Sequence, residues 1–168
     1  GRYCAHSALM DLMEEQPAPI AINPDRSPAW PDSISGSISH TDGLAMAIAG
    51  YSREIEGIGI DCERILPEKK IDPLASMIIN PQEVRIKPND MLMKEFLTLA
   101  FSAKESIYKS IKNKKHLKLD FLDAEITHID TSFLFIDLHK RKYKVYYYIN
   151  NKEMYLITLT ITKTKLQP

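Results

Sequence analysis

Residues 89–112 read NDMLMKEFLTLAFSAKESIYKSIK. Leu92, Phe96, Leu99, Ala103, Ile107 and Ile111 recur at steps of three or four, the period of a helix that buries one stripe. A long helix is therefore expected over 90–112, with Asp90 as its N-cap and lysines at the end where the dipole favours cations. At about 100° per residue, Leu97, Phe101 and Tyr108 form a second apolar strip on nearly the opposite side. A helix apolar on two sides is expected between two layers. Glu105 falls on that second side, with Lys109 one turn on and Lys104 beside it. A carboxylate between two ammonium groups, on a helix packed on both sides, is where chemistry is to be sought.

The length, 168 residues, suits one large domain or two small halves, and a hydrophobic fraction of 44% supports a core. Lys plus Arg is 22 and Asp plus Glu is 22, which argues against a general nucleic-acid binder, a class marked by basic excess. Cys4 and Cys62 have no metal-type spacing and read as free thiols of a reducing compartment. No apolar run approaches a membrane span, so a cytoplasmic location is expected. The chain opens GRYCAHSAL, mid-helix in character and without a starting methionine, so a preceding native segment is expected.

On either side of the long helix the pattern changes. Residues 2–15 read as a helix with Cys4, Ala8, Leu9 and Leu12 inward. Residues 16–31 hold five of the ten prolines and form an extended loop, in which Arg26 and Trp30 stand out. SISGSIS is a short strand or turn leading to His40. GLAMAIAGYS and IEGIGIDCE follow as apolar strands, expected to pair through a turn at Arg53-Glu54. A short helix spans 72–80. After the long helix come four strand-like segments rich in Ile, Tyr and Thr, with a hairpin turn at Asn150-Asn151-Lys152. The order strands–helix–strands predicts an α+β fold of two sheet-bearing halves, 1–66 and 67–168, joined through the helix.

Several groups invite chemistry. Asp61 and Glu63 lie two apart on a strand, so they share a face while Ile60 and Cys62 point to the core. Two aligned carboxylates repel unless a cation sits between them, and such hard oxygen ligands suit Mg²⁺; alternatively they are solvated acids at a strand end. Gly59 leaves backbone room beside them. Glu105 and Lys109 form either a surface i,i+4 pair or part of a site. His40 is a phosphate donor, an acid/base or a polar loop residue, and Ser37 and Ser39 share a face that suits phosphate. Arg2, Arg26, Lys104 and Lys109 are dispersed cations able to converge. Lys109, Lys112, Lys114, Lys115 and Lys118 make a basic run, either a solvated face or a dock for an acidic protein partner.

Together, in this order, S-x-S-H, I-G-I-D-x-E and F-S-A-K-E-S-x-Y-K resemble the 4′-phosphopantetheinyl transferases of the surfactin type. GRYCAHSAL, the R-x-P-x-W-P at 26–31 and FSAKES resemble most the subgroup serving siderophore synthetases, of the enterobactin and vibriobactin kind. The resemblance covers essentially the whole chain. It implies a pseudo-twofold fold with coenzyme A in the cleft between two halves, and a monomer. It implies Asp61, Glu63 and Glu105 as Mg²⁺ carboxylates, with Lys104, Glu105 and Lys109 as the K-E-x-x-x-K element. Ser39 and His40 match the pair that contacts the coenzyme A phosphates, Arg2 an arginine near the 3′-phosphate, and Arg26 the loop against the nucleotide. Thr41-Asp42 after His40 departs from the family pattern. The implied reaction moves phosphopantetheine from coenzyme A to a serine of an apo carrier protein, with Glu105 taking the proton and Lys109 and His40 offsetting charge on 3′,5′-ADP. Two rivals remain: a Mg²⁺-dependent hydrolase of coenzyme A or nucleotide diphosphates, and a non-catalytic coenzyme A or carrier-protein binding module.

Overall fold

A computed structural model gives the fold and describes residues 1–13, 17–24, 26–111 and 120–163. Helix α1 (Arg2–Leu12) is followed by a small ribbon of β1 (Ala21–Ile22) and β2 (Pro28–Ala29). Next comes the hairpin of β3 (Ile34–Thr41) and β4 (Leu44–Tyr51). Its two-residue loop is Asp42-Gly43, and Gly43 takes φ +79°, a left-handed conformation that suits glycine. Strand β5 (Ile55–Arg64) leads through a 3₁₀ turn at Glu68–Lys70 to α2 (Ile71–Ile78), α3 (Pro81–Arg85) and the long α4 (Met93–Ser110). A meander closes the chain: β6 (Ala124–Ile129), β7 (Phe133–Leu138), β8 (Arg141–Asn150) and β9 (Tyr155–Lys163).

The expected hairpin through Arg53-Glu54 does not form. The strand of 44–51 pairs back onto 34–41, and β5 pairs antiparallel with β9, giving a five-stranded sheet in the order β5-β9-β8-β7-β6. The chain does turn at Arg53-Glu54, with the Glu54 N–H donating to the Tyr51 carbonyl at 3.0 Å, but the hairpin that forms is the one at Asp42-Gly43. One consequence bears on the boundary read at residue 66: β5 precedes it in sequence but belongs to the sheet of the later strands.

Alternation along the meander sends Ile126, Leu134, Ile136, Val145 and Leu156 inward, where they meet Phe96, Leu99, Ala103 and Ile107 of α4. The helix lies with this sheet on one side and α2 on another; of the expected second strip Leu97 is buried, Phe101 is half-buried and Tyr108 is exposed. Its start is later than the sequence pattern indicated. Leu92 is the N-cap rather than Asp90, and the Glu95 carboxylate accepts from the Leu92 N–H at 2.9 Å. A second, smaller core joins α1 to the β3–β4 hairpin through Ala5, Leu9, Ile20 and Ile34, with Trp30 packed against it. The Trp30 ring lies directly on Gly36, where a Cβ would stand 2.5 Å from it, so the proline-rich segment is pinned across β3. Among the described residues no helix is long and apolar enough to cross a membrane.

Candidate active site between β3, β5 and α4

Two glycines set the site's geometry. Gly57 and Gly59 face α4, and a Cβ on either would stand 2.0 Å from the Ser110 carbonyl oxygen or 1.8 Å from that of Ser106. Only glycine admits the helix backbone this close to the strand. The seam continues onto β9, where the Ser102 and Thr158 hydroxyls are 2.9 Å apart and those of Ser106 and Thr160 are 2.7 Å apart, all buried. The next two residues on the same face of β5 are Asp61 and Glu63.

On its other edge β5 meets β3 through hydroxyls instead of a backbone ladder. Ser37 Oγ accepts from the Ile60 N–H at 3.0 Å, and Ser39 Oγ accepts from the Cys62 N–H at 3.2 Å. Ser39 Oγ also donates to Asp61 Oδ1 at 2.9 Å and accepts from Lys109 Nζ at 3.1 Å. The hydroxyl's one donor and two acceptor sites are thus all used. Lys109 Nζ lies 2.6 Å from Asp61 Oδ1. Asp61 is 2% exposed, and its Oδ2 is buried with no hydrogen-bond partner.

Glu63 shares this environment. Burial, then the charge of Asp61, and also that of Glu105, hold its carboxyl up to about 7, against the opposing pull of Lys109. Burial is also the main cause that raises the Cys62 thiol. A buried carboxylate with one open oxygen, beside a second carboxyl whose pKa is raised by burial first and by negative neighbours next, is a site short of positive charge. That donor set fits a hard divalent cation. In the arrangement described, however, no three acidic, imidazole or thiol groups among the described residues are gathered closely enough to hold one. The Lys109 ammonium supplies the cation at Asp61 instead.

The other expected site residues divide. His40 is exposed at the end of β3, and the start of α1 lies against it: a Cβ on Gly1 would stand 3.8 Å from the His40 ring, so Arg2 begins its helix beside His40. Arg26 is exposed at the turn between β1 and β2, with φ +67°, and among the described residues no contact joins it to the carboxylates. Glu105 is partly buried and lines a pocket with Lys104, Tyr108, Phe121 and Leu138. The lysines at 112, 114, 115 and 118 lie outside the described residues. Thr41 ends β3 and Asp42 begins the hairpin turn, where the Asp42 carbonyl accepts from Arg64 and from the Tyr155 hydroxyl and its carboxylate lies 3.6 Å from Arg64 Nε.

The Lys104 ammonium pairs inside the core rather than with the carboxylates of β5. It lies 2.8 Å from Glu83 Oε1 and donates to the Ile78 carbonyl at 2.7 Å, with both side chains of the pair almost wholly buried. Burial lowers the lysine's pKa, opposed by Glu83. Glu83 also accepts from the Asn80 and Ile126 N–H groups, tying α3, α4 and β6 at one point. Sequence reasoning missed Glu83. The one signal for it was Asn80-Pro81-Gln82-Glu83, a capping-box pattern that marks a helix start without revealing burial.

Comparison with known proteins agrees with this geometry. The model of the 4′-phosphopantetheinyl transferase superfamily matches residues 57–160, and that of the 4′-phosphopantetheinyl transferase N-terminal domain matches residues 1–50. Enterobactin synthase component D of Salmonella typhi is 34% identical over 139 residues, covering 82% of this chain and 56% of the relative. The 4′-phosphopantetheinyl transferase PptT of Mycobacterium tuberculosis is 33% identical over 128 residues, covering 75% and 55%. The solved holo-[acyl-carrier-protein] synthase of Thermotoga maritima shares the fold at TM-score 0.51 and 22% identity, over 64% of this chain and 62% of that one. The chain spans 56% and 47% of the first two curated relatives it matches. With one family model across its first 50 residues and another from β5 to β9, the chain belongs to the 4′-phosphopantetheinyl transferase superfamily.

Proposed function

We propose that this chain transfers 4′-phosphopantetheine from coenzyme A to the serine hydroxyl of an apo carrier protein, releasing 3′,5′-ADP. The observation that carries the reading is the Asp61–Ser39–Lys109 cluster with Glu63 beside it, buried at the junction of strand and helix and short of positive charge. Transfer of a phosphoryl-linked group depends on positioning and charge neutralisation more than on covalent help. By the family resemblance Asp61, Glu63 and Glu105 would hold a Mg²⁺ ion, which requires their oxygens to draw closer than in the arrangement described; bound there, it would supply charge neutralisation for the diphosphate. Lys109 and the exposed His40 offset charge on the departing 3′,5′-ADP, and Arg2, next to His40, suits its 3′-phosphate.

In the step itself, the carrier's serine oxygen forms a bond to the phosphorus that bears pantetheine. The bond from that phosphorus to the bridging oxygen breaks, and the electron pair leaves with 3′,5′-ADP. Glu105, directly or through a water, accepts the serine proton. The partner is an aryl or peptidyl carrier protein of a siderophore synthetase in the cytoplasm, docked by an acidic helix on the basic run after α4, and the transferase works as a monomer. The names of the relatives, enterobactin synthase component D among them, support this assignment.

Mass spectrometry of an apo carrier protein incubated with coenzyme A, Mg²⁺ and this protein tests the proposal. Expected is a mass gain of one phosphopantetheine. Rapid release of 3′,5′-ADP without any carrier would instead identify a hydrolase, and coenzyme A binding with an unmodified carrier would identify a binding module.

A further inference from the structure

We infer that Arg64 and Tyr155 are positioning residues for His40: they clamp the tip of the β3–β4 hairpin to the end of the β5–β9 pair, and so fix where His40 meets coenzyme A. The inference rests on the proposed function above and adds two residues to it. Arg64 ends β5 and pairs with Tyr155, the first residue of β9. The Tyr155 hydroxyl donates to the Asp42 carbonyl at 2.8 Å and accepts from the Arg64 guanidinium at 2.8 Å. Arg64 Nε donates to the same carbonyl at 3.2 Å, so both lone pairs of that oxygen are used. The guanidinium also lies over the Tyr155 ring, 4.6 Å from its centroid. Gly43 completes the joint, since a Cβ there would stand 2.8 Å from the Tyr155 hydroxyl oxygen.

The joint matters because of how β3 is held. No backbone ladder runs between β3 and β5 among the described residues, and the two strands meet through the hydroxyls of Ser35, Ser37 and Ser39. His40 follows the last of these and is exposed. From His40 to the end of β4, the hydrogen bonds that tie the hairpin to β5 and β9, among the described residues, are those at Asp42. The imidazole thus sits between two anchors, Ser39 before it and Asp42 two residues on. Without the second anchor the tip can swing about the first. Arg64 and Tyr155 therefore act through His40: they raise the fraction of molecules in which its ring is placed to receive a phosphate, and apparent affinity scales with that fraction.

The test is a double-variant cycle on coenzyme A affinity, measured by isothermal titration calorimetry in the presence of Mg²⁺. Tyr155→Phe keeps the ring under Arg64 and removes the hydroxyl at the centre of the clamp. It is expected to raise the Kd for coenzyme A about fivefold, the net worth of about one hydrogen bond. Arg64→Lys keeps a positive charge beside Glu63 but loses the planar fork, and is expected to do the same. His40→Ala is expected to raise the Kd about tenfold. The double variant His40→Ala/Tyr155→Phe is expected to bind no more weakly than His40→Ala alone. A clamp that served stability only would not produce that non-additivity. Wild-type affinity in Tyr155→Phe and Arg64→Lys overturns the inference. Additive losses in the double variant overturn it equally, because the clamp would then act past His40, and so does unaltered affinity in His40→Ala. Should Tyr155→Phe fail to fold, Arg64→Lys carries the same cycle. Failure of the underlying reading looks different: wild type itself would bind no coenzyme A, which removes the inference with it.

Discussion

Lys104→Met gives the sharpest test of the buried pair with Glu83. The pair it breaks is sealed, with side-chain exposures of 2% for Lys104 and 0% for Glu83. Without the ammonium, Glu83 keeps its bonds from the Asn80 and Ile126 N–H groups but carries an uncompensated buried charge, and the Ile78 carbonyl loses a donor. Removing one partner of a buried pair costs about 3–5 kcal/mol, a large share of the roughly 5–15 kcal/mol that holds a domain together. For a chain of this size that is a fall in melting temperature of roughly 6–20 °C. Urea denaturation of wild type, Lys104→Met, Glu83→Gln and the double variant measures the coupling, expected at about 2 kcal/mol because the double variant leaves no lone charge. Below its melting temperature, Lys104→Met should keep its KM for coenzyme A within about threefold of wild type. A loss of stability under about 1 kcal/mol together with a tenfold rise in that KM would refute the reasoning and return Lys104 to the substrate.

Three further outcomes follow from the same geometry. Gly59→Ala sets a methyl 1.8 Å from the Ser106 carbonyl oxygen and 2.9 Å from the Ser110 nitrogen, both backbone. No rotamer relieves that overlap, so a destabilisation of about 3 kcal/mol or more, with loss of transfer, is expected in denaturation and activity assays; a change under about 0.5 kcal/mol would contradict the close approach. Glu105→Gln should lower transfer by about 10²–10⁴-fold while circular dichroism shows a folded protein, and a near-normal rate would exclude it as the proton acceptor. Glu63, raised from 4.5 to about 7, binds its proton more tightly in the folded chain than in the unfolded one. Metal-free wild type should therefore lose stability as pH rises from about 4.5 to about 7, the window between the two values. Glu63→Gln should flatten that slope, and an unchanged pH profile of chemical denaturation in the variant would show that Glu63 does not cause it.

Local patterns alone determined a good deal of this molecule. The spacing of Phe96, Leu99, Ala103 and Ile107 specified a helix buried on one stripe, because side-chain direction in a helix depends only on position along it. The alternation of Asp61 and Glu63 likewise put two carboxylates on one face of a strand before any partner strand was known. The motif order sufficed to identify the family. What remained hidden depends on which segments meet. The hairpin formed at Asp42-Gly43 and not at Arg53-Glu54, and β5 pairs with β9, a strand nearly a hundred residues away. Lys104 and Glu105 are neighbours in a motif and line one pocket, yet the Lys104 ammonium is paired with Glu83 of another helix, which the motif did not show. Sequence spacing places a charge on a helix face; only packing decides whether that face meets a carboxylate, a backbone carbonyl or water, and burial then makes the difference between a structural pair and a site.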